Sequence, residues 1–188
     1  MKIIGLTGPA GSGKDTVARF LCDTQGFVQI AFADPIRAGV KAMFPMLTDE
    51  HFTDRTLKET VIPDIGKSPR ELMQSMGDYL RHLDPDMLLI LIRPRVQKLL
   101  WESSLSSLHI AGIVVSDVRK DNEAAYLRKA GEVWHLHRTT MAYTGLASNT
   151  RLHNTEEGIQ YQSSDRIIHN DGSLDYLYET VANVFSGE

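Results

Sequence analysis

One stretch near the amino terminus, Gly8-Pro9-Ala10-Gly11-Ser12-Gly13-Lys14-Asp15-Thr16, limits what this chain can fold into more than any other. The run before it, Lys2 to Thr7, is short and mostly apolar and predicts a buried strand. The run after it, Asp15 to Cys22, predicts a helix, and Gly26 is placed to end that helix. A glycine-rich loop between a strand and a helix is the P-loop arrangement. Its backbone N–H groups surround an anion at the positive end of a helix dipole. Gly8, Gly11 and Gly13 permit the backbone angles and close approaches this needs. Lys14 adds a mobile charge able to follow a phosphoryl group. The plainer alternative, a glycine-rich turn with a surface lysine, gives no reason for a strand and a helix to flank the loop. Asp15 also has a plainer reading, as a first-turn carboxylate favoured by the dipole.

The length of 188 residues suits one domain with a sizeable core. A net charge of −4 leaves no basic footprint, which argues against a nucleic-acid partner. The lone Cys22 has no internal disulfide partner and reads as a buried thiol in a reducing compartment. The chain enters its first strand directly, so no signal peptide is expected and the location reads as cytoplasmic. The longest apolar run, Met87 to Ile92, falls far short of the ~20 residues a membrane span needs.

Downstream, strands and helices alternate. Phe27 to Phe32 predicts a strand, followed by Asp34 as N-cap and Pro35 as the first residue of a helix to about Phe44. Pro45 to Lys67 is polar and irregular and reads as a mobile insertion with one short helix. Ser68-Pro69-Arg70-Glu71 is a capping-box helix start. In that helix Leu72, Met73, Met76, Tyr79, Leu80 and Leu83 share one side, while Arg70, Gln74, Gly77 and Arg81 form a narrow stripe on the other. The stripe is either a solvated face or a binding surface. In the second case Gly77, costly in a helix, opens a flat gap for a planar base. A second helix runs from Pro85 or Asp86 to about Trp101. Trp101 and Leu105 suit a subunit contact, which would make a homodimer, or the core. His109 to Ser116 predicts a central strand ending at Asp117. An acid in that place resembles a Walker B element that holds magnesium or its water; capping the next helix is the alternative. Asn122 to Lys129 is helical, Glu132 to His137 is a strand, and Arg166 to His169 is a last strand. Ser173 caps a final helix. The polar segment 138–152 has the size and place of a lid, flanked by Arg138 and Arg151, either of which reads as a phosphate clamp or a surface arginine. The order predicts an α/β fold: a parallel sheet, helices on both faces, ligands beyond the carboxyl ends of the strands.

The combination resembles the phage-type deoxynucleoside monophosphate kinases of the P-loop kinase superfamily. The resemblance rests on Gly8–Thr16, in the form G-x-x-G-x-G-K-x-T common in small kinases, on Phe32–Arg37, on Arg70–Asp78 and on Asp117–Glu123. It extends to His153–Glu156 and Ile168–Ser173. It implies the three-layer α/β/α P-loop kinase fold, with region 34–105 binding the acceptor. It also implies transfer of a phosphoryl group from ATP, with Mg²⁺, to a small-molecule nucleotide, a deoxynucleoside 5′-monophosphate. The donor phosphates would lie on Gly11, Ser12, Gly13, Lys14, Asp15 and Thr16, and the base near Asn170 and Gly172. The acceptor would meet Asp34, Arg37, Arg70, Gln74, Arg81 and Arg151. Lys14, Arg138, Arg119 and Asp117 would be catalytic, and Thr16 and Asp117 would reach the metal, through water. His153 and Glu156 match the family without a role that follows from the residues. Asp34, where some relatives have a small residue, and Leu88 or Leu89, where relatives often carry tryptophan, depart from the pattern.

Joining two anions asks for positioning and charge neutralisation more than for a base, because a nucleotide phosphate with a second pKa near ~6 is largely dianionic at neutral pH. Two rivals stay open. One is a P-loop kinase of a simple or phosphorylated alcohol, with Asp34 as general base. The other is a non-catalytic nucleotide switch, against which stands the lack of a GTPase base motif such as Asn-Lys-x-Asp.

Overall fold

The computed structural model describes residues 1–104, 110–138 and 159–187. Its elements run β1 (Lys2–Thr7), α1 (Lys14–Gln25), β2 (Phe27–Ile30), α2 (Asp34–Met43), α3 (Glu50–Thr53), α4 (Arg55–Glu59), α5 (Pro69–Leu83) and α6 (Met87–Ser104). There follow β3 (Gly112–Val115), α7 (Asp121–Arg128), β4 (Glu132–His137), β5 (Arg166–His169) and α8 (Leu174–Ser186). By its contacts the chain forms two compact units, Met1–Ala31 with Val96–Glu188, and Phe32–Arg95.

The first unit is built on a five-stranded sheet in the order β2-β3-β1-β4-β5, every pair parallel. The central strand β1 is buried from Ile3 to Thr7. Parallel strands covered on both faces read as continuous apolar runs, as this one does. Ile4 and Leu6 point into a cluster with Val17 and Leu21 of α1 and Leu177 and Val181 of α8. Strand side chains alternate, so Gly5 between them faces the other way. A Cβ there would meet Leu127 of α7 at 2.6 Å. Helices α1 and α8 therefore cover one face and α7 the other, which gives three layers. Trp134 of β4 fills the core at 0% exposure, with its ring N–H on Glu132 Oε2 at 2.9 Å.

Several expected boundaries hold for the reasons given. Gly26 ends α1 in a left-handed conformation at φ 67°, its N–H on the Leu21 carbonyl. Strands β4 and β5 span the expected residues. Ser173 accepts from the Tyr176 N–H to start α8. Strand β2 stops at Ile30, earlier than expected, because its partner β3 ends opposite it at Val115. Cys22 is half-buried against the core cluster, and burial pushes its thiol up from the ordinary value.

In the second unit α5 is the hub, contacting α2, α3 and α4. Its capping box forms as expected: Ser68 Oγ accepts from the Glu71 N–H, and Glu71 Oε2 accepts from the Ser68 N–H at 2.8 Å. Between Pro45 and Lys67 there are two short helices, not one, and a bridge joins Ile62 to Lys67. Asp54 caps the second of these through the N–H groups of Thr56 and Leu57. Asp34 is not an N-cap. The cap position is Ala33, already helical, so Asp34 is the first helical residue and Pro35 the second.

The polar stripe of α5 is not a solvated face. Arg70, Gln74 and Arg81 are half-buried and Gly77 is buried, whereas Tyr79 and Leu83 of the apolar side are 59% and 56% exposed. Periodicity locates two faces of a helix, but its neighbours choose between them. The gap at Gly77 is no open shelf: a Cβ there would meet Ile36 Cδ1 and Arg81 Nη1, each at 3.3 Å. The missing side chain lets α2 approach. Along α6, Leu88, Leu89, Ile92, Val96 and Leu99 are buried, while Trp101 is 63% exposed and so is not core; Leu105 lies outside the described residues. Among the described residues no helix is long and apolar enough to cross a membrane.

Candidate active site

The loop after β1 turns sharply. Gly8, Gly11 and Gly13 take φ of 138°, 76° and 104°, and the Ser12 N–H closes a turn on the Pro9 carbonyl at 3.2 Å. Only glycine reaches such angles cheaply. Gly8 is also locked by contact, since a Cβ would lie 2.3 Å from the Leu136 carbonyl oxygen of β4. Gly8→Ala is therefore expected to lower unfolding stability by ~3 kcal/mol, backbone strain and overpacking together. Urea unfolding checks it, and an unchanged midpoint would refute the close contact.

Helix α1 begins at Lys14 after Gly13, a residue with no side chain to cap its first N–H groups. Uncapped N–H groups at a helix start, under a positive dipole end, form a ready anion site. Lys14 Nζ donates to the carbonyls of Gly8 and Pro9 at 2.7 and 2.8 Å, folded back along its own loop. The Ser12 hydroxyl is buried and, among the described residues, has no hydrogen-bond partner.

Beside the helix start is a cavity of about 330 Å³ lined by Gly11, Gly13, Lys14, Asp15, Thr16, Arg138, Asn170, Gly172, Leu174 and Leu177. Residues from β4's end, the α1 start and the turn before α8 thus share one wall, because β1, β4 and β5 run parallel and end together. Most of the expected donor residues are gathered here. Ser12 lies beneath the loop, and the Asn170 amide is bound to the Ser12 carbonyl at 2.9 Å.

Asp117 and Arg119 follow the end of β3 and are not part of that lining. Asp117 does not cap α7, which starts at Asp121 after Lys120. Glu123, a residue whose part the sequence does not reveal, organises the connection. It is 2% exposed, and its Oε2 accepts from the Arg119 and Lys120 N–H groups at 2.8 and 3.1 Å. Only the glutamate half of a capping box is present, because the Lys120 ammonium cannot accept a hydrogen bond, so the sequence carries no cap signature that points to Glu123.

The expected acceptor residues Asp34, Arg37, Arg70, Gln74 and Arg81 all lie in the unit Phe32–Arg95. Arg37 Nη1 is 3.4 Å from Asp34 Oδ1, and Arg70 Nη1 is 2.7 Å from Glu59 Oε1. Arg37 Nε is buried and donates to nothing among the described residues. Arg151, His153, Glu156 and all of the lid segment after Arg138 lie outside the described residues.

A second charged cluster joins α7 and β4 to the residues just before β5. Asp165, with a fully buried side chain, accepts from Arg128 Nε and Nη2 at 2.8 and 2.6 Å, from the Gln162 N–H and from His135 Nε2, both at 2.9 Å. An ionised carboxylate only accepts, so His135 carries its proton on Nε2. Burial pushes the Asp165 carboxyl up, but Arg128, the Gln162 N–H and His135 outweigh it and hold it at about 2. Gln160 is held by both backbone groups, its N–H on Asp121 Oδ1 and its carbonyl on Arg128 Nη2.

The sequence profile of the family described as deoxynucleotide monophosphate kinase matches residues 51–181. That match begins after the P-loop, so loop and profile are separate lines of support. A protein of Acanthamoeba polyphaga mimivirus, named as a candidate deoxynucleotide monophosphate kinase, is 29% identical over 96% of this chain and 94% of its own length. An adenylate kinase of Sphingopyxis alaskensis is 34% identical over 45% of this chain and 36% of its own. The dephospho-CoA kinase of Campylobacter jejuni superposes with a TM-score of 0.47 at 20% identity, covering 99% of this chain and 96% of that one. That overlap is too loose to add to the sheet order. A profile match over more than half of the chain, joined to a relative aligned end to end, places it in the deoxynucleotide monophosphate kinase family: it is an α/β P-loop kinase of nucleotide monophosphates.

Proposed function

We propose that the enzyme transfers the γ-phosphoryl group of ATP to a deoxynucleoside 5′-monophosphate, giving the diphosphate. The observation that carries this reading is the start of α1 after a glycine cap, over a loop of left-handed glycines, in a chain of this family. The N–H groups from Gly11 to Thr16 hold the donor phosphates, and Lys14 leaves its loop carbonyls to meet them. Arg138, exposed at the cavity edge, spreads charge on the transferring group with Arg119. The donor base lies toward Gly172. The acceptor falls to Asp34, Arg37, Arg70, Gln74 and Arg81, and the orphan Nε of Arg37 suits a phosphate oxygen.

Magnesium on the donor phosphates would neutralise the charge that builds on their oxygens. Thr16 and Asp117 are the residues that would hold it, through water. Among the described residues no three His, Cys, Asp or Glu groups cluster as a metal cage. The acceptor phosphate is already ionised, so these residues need only orient it and exclude water.

ADP release with ATP and Mg²⁺, measured against deoxynucleoside and ribonucleoside monophosphates and phosphorylated alcohols, tests this. At least one deoxynucleotide is expected to turn over, with the activity absent in Lys14→Ala. Turnover of an alcohol alone would discard the acceptor assignment, and ATP binding without turnover would discard the reaction.

A further inference from the structure

We infer that Asn170 is a positioning residue of the phosphate loop: by holding the Ser12 carbonyl it aims the Gly13 N–H into the anion site. The inference rests on reading that loop as the donor-phosphate site, and it gives Asn170 a role other than contact with the base.

The Asn170 side chain donates from Nδ2 to the Ser12 carbonyl at 2.9 Å, a buried bond across 158 residues of chain. A carbonyl only accepts, so the amide must present its NH₂ group there. The Ser12–Gly13 peptide is trans, as all the described ones are. In a planar trans peptide the C=O and N–H point in opposite directions. Fixing the Ser12 oxygen toward Asn170 therefore fixes the Gly13 N–H away from it. Gly13 immediately precedes α1 as a cap residue without a side chain, and the cavity there is lined by Gly13, Lys14 and Thr16.

The brace has a rigid footing. The Asn170 backbone N–H donates to the His137 carbonyl at 2.8 Å, so its place is set by the ends of β4 and β5 and not by the loop. The fit is close from the other side too. A Cβ on Gly13 would lie 2.5 Å from Asn170 Nδ2, so glycine is required at 13 for this amide as well as for φ of 104°. Ser12 is 0% exposed, and without the amide its carbonyl would be buried with one partner fewer. The peptide could then rotate, and one donor of the nest would be lost to the ligand.

The test uses the full chain as wild type, Asn170→Ala and Asn170→Leu, the last of similar size with neither donor nor charge. Each is titrated calorimetrically with magnesium tripolyphosphate, which has no base, and with MgATP, and each is unfolded in urea. Loss of one aimed donor is expected to weaken tripolyphosphate and ATP alike, by ~10-fold. Weaker ATP binding with unchanged tripolyphosphate binding would place Asn170 on the base and overturn the inference, leaving the proposed reaction standing. A lower urea midpoint with both affinities intact would make Asn170 merely structural and also overturn it. Should wild type bind neither ligand, the loop is not the donor site, and the proposed function falls with the inference.

Discussion

Replacing Lys14 by alanine is expected to cut turnover about a thousandfold, the upper range for removing one preorganised donor from a charge-developing transition state. The side chain has two duties. In the structure its ammonium joins the carbonyls of Gly8 and Pro9, neutralising acceptors that would otherwise face an incoming anion. In the proposed reaction it would bring a positive charge to the oxygens where negative charge shifts. Stability should hardly change, because both bonds are at the surface or partly buried, and such bonds contribute about 1 kcal/mol net. The informative result is a pair: initial rates of ADP formation collapse while the urea midpoint stays near that of wild type. Arginine should not rescue, since its planar fork cannot take the place of a compact ammonium inside the loop. A Lys14→Ala enzyme keeping a tenth of wild-type turnover would remove the loop from the mechanism.

The second large effect is on stability. Arg128→Ala is expected to destabilise the fold by ~4 kcal/mol, because it leaves the buried Asp165 carboxylate without its two-pronged partner. The same carboxylate makes stability depend on pH. Its folded value is about 2, below the ordinary 3.8, so the folded state holds the ionised form more strongly than the unfolded chain does. The contribution is fully present above pH 3.8 and is lost as pH falls through about 2. The difference of almost two pH units corresponds to about 2 kcal/mol. Urea unfolding of wild type and Asp165→Asn between pH 6 and pH 2 reads this out. The gap between the two proteins should be constant at the upper end and close by roughly that amount below pH 4. A gap independent of pH would show that the charge of Asp165 does not matter to the fold.

Much of the strand–loop–helix that forms the candidate donor site was legible because its grammar is local. The strand of Lys2–Thr7, the glycines, Lys14 and the helix that follows depend on neighbours within a few residues, and backbone rules act at that range. The same holds for the Ser68–Glu71 cap, for Gly26 and for Ser173. Faces and partnerships were less legible. The stripe Arg70, Gln74, Gly77 and Arg81 was correctly separated from the apolar residues of its helix. Its direction was left open between solvent and a binding surface, because what buries a face is another element, here α2 through Ile36. Asp34 has the composition of a cap, but Ala33 is already helical and takes the cap position itself.

The alternation of elements, the phosphate loop and the family can all be read from adjacent residues or from their period. What holds these parts in register comes from contacts between distant segments. Asn170 reaches Ser12 across 158 residues, and Asp165 meets Arg128 across 37. Asparagine and aspartate are common in turns for purely local reasons, so neither residue signals a distant partner. The parallel sheet supplies that information: β1, β4 and β5 end on one side, which brings Asn170 to Ser12, and pairing of β4 with β5 sets Asp165, just before β5, near His135 and Arg128.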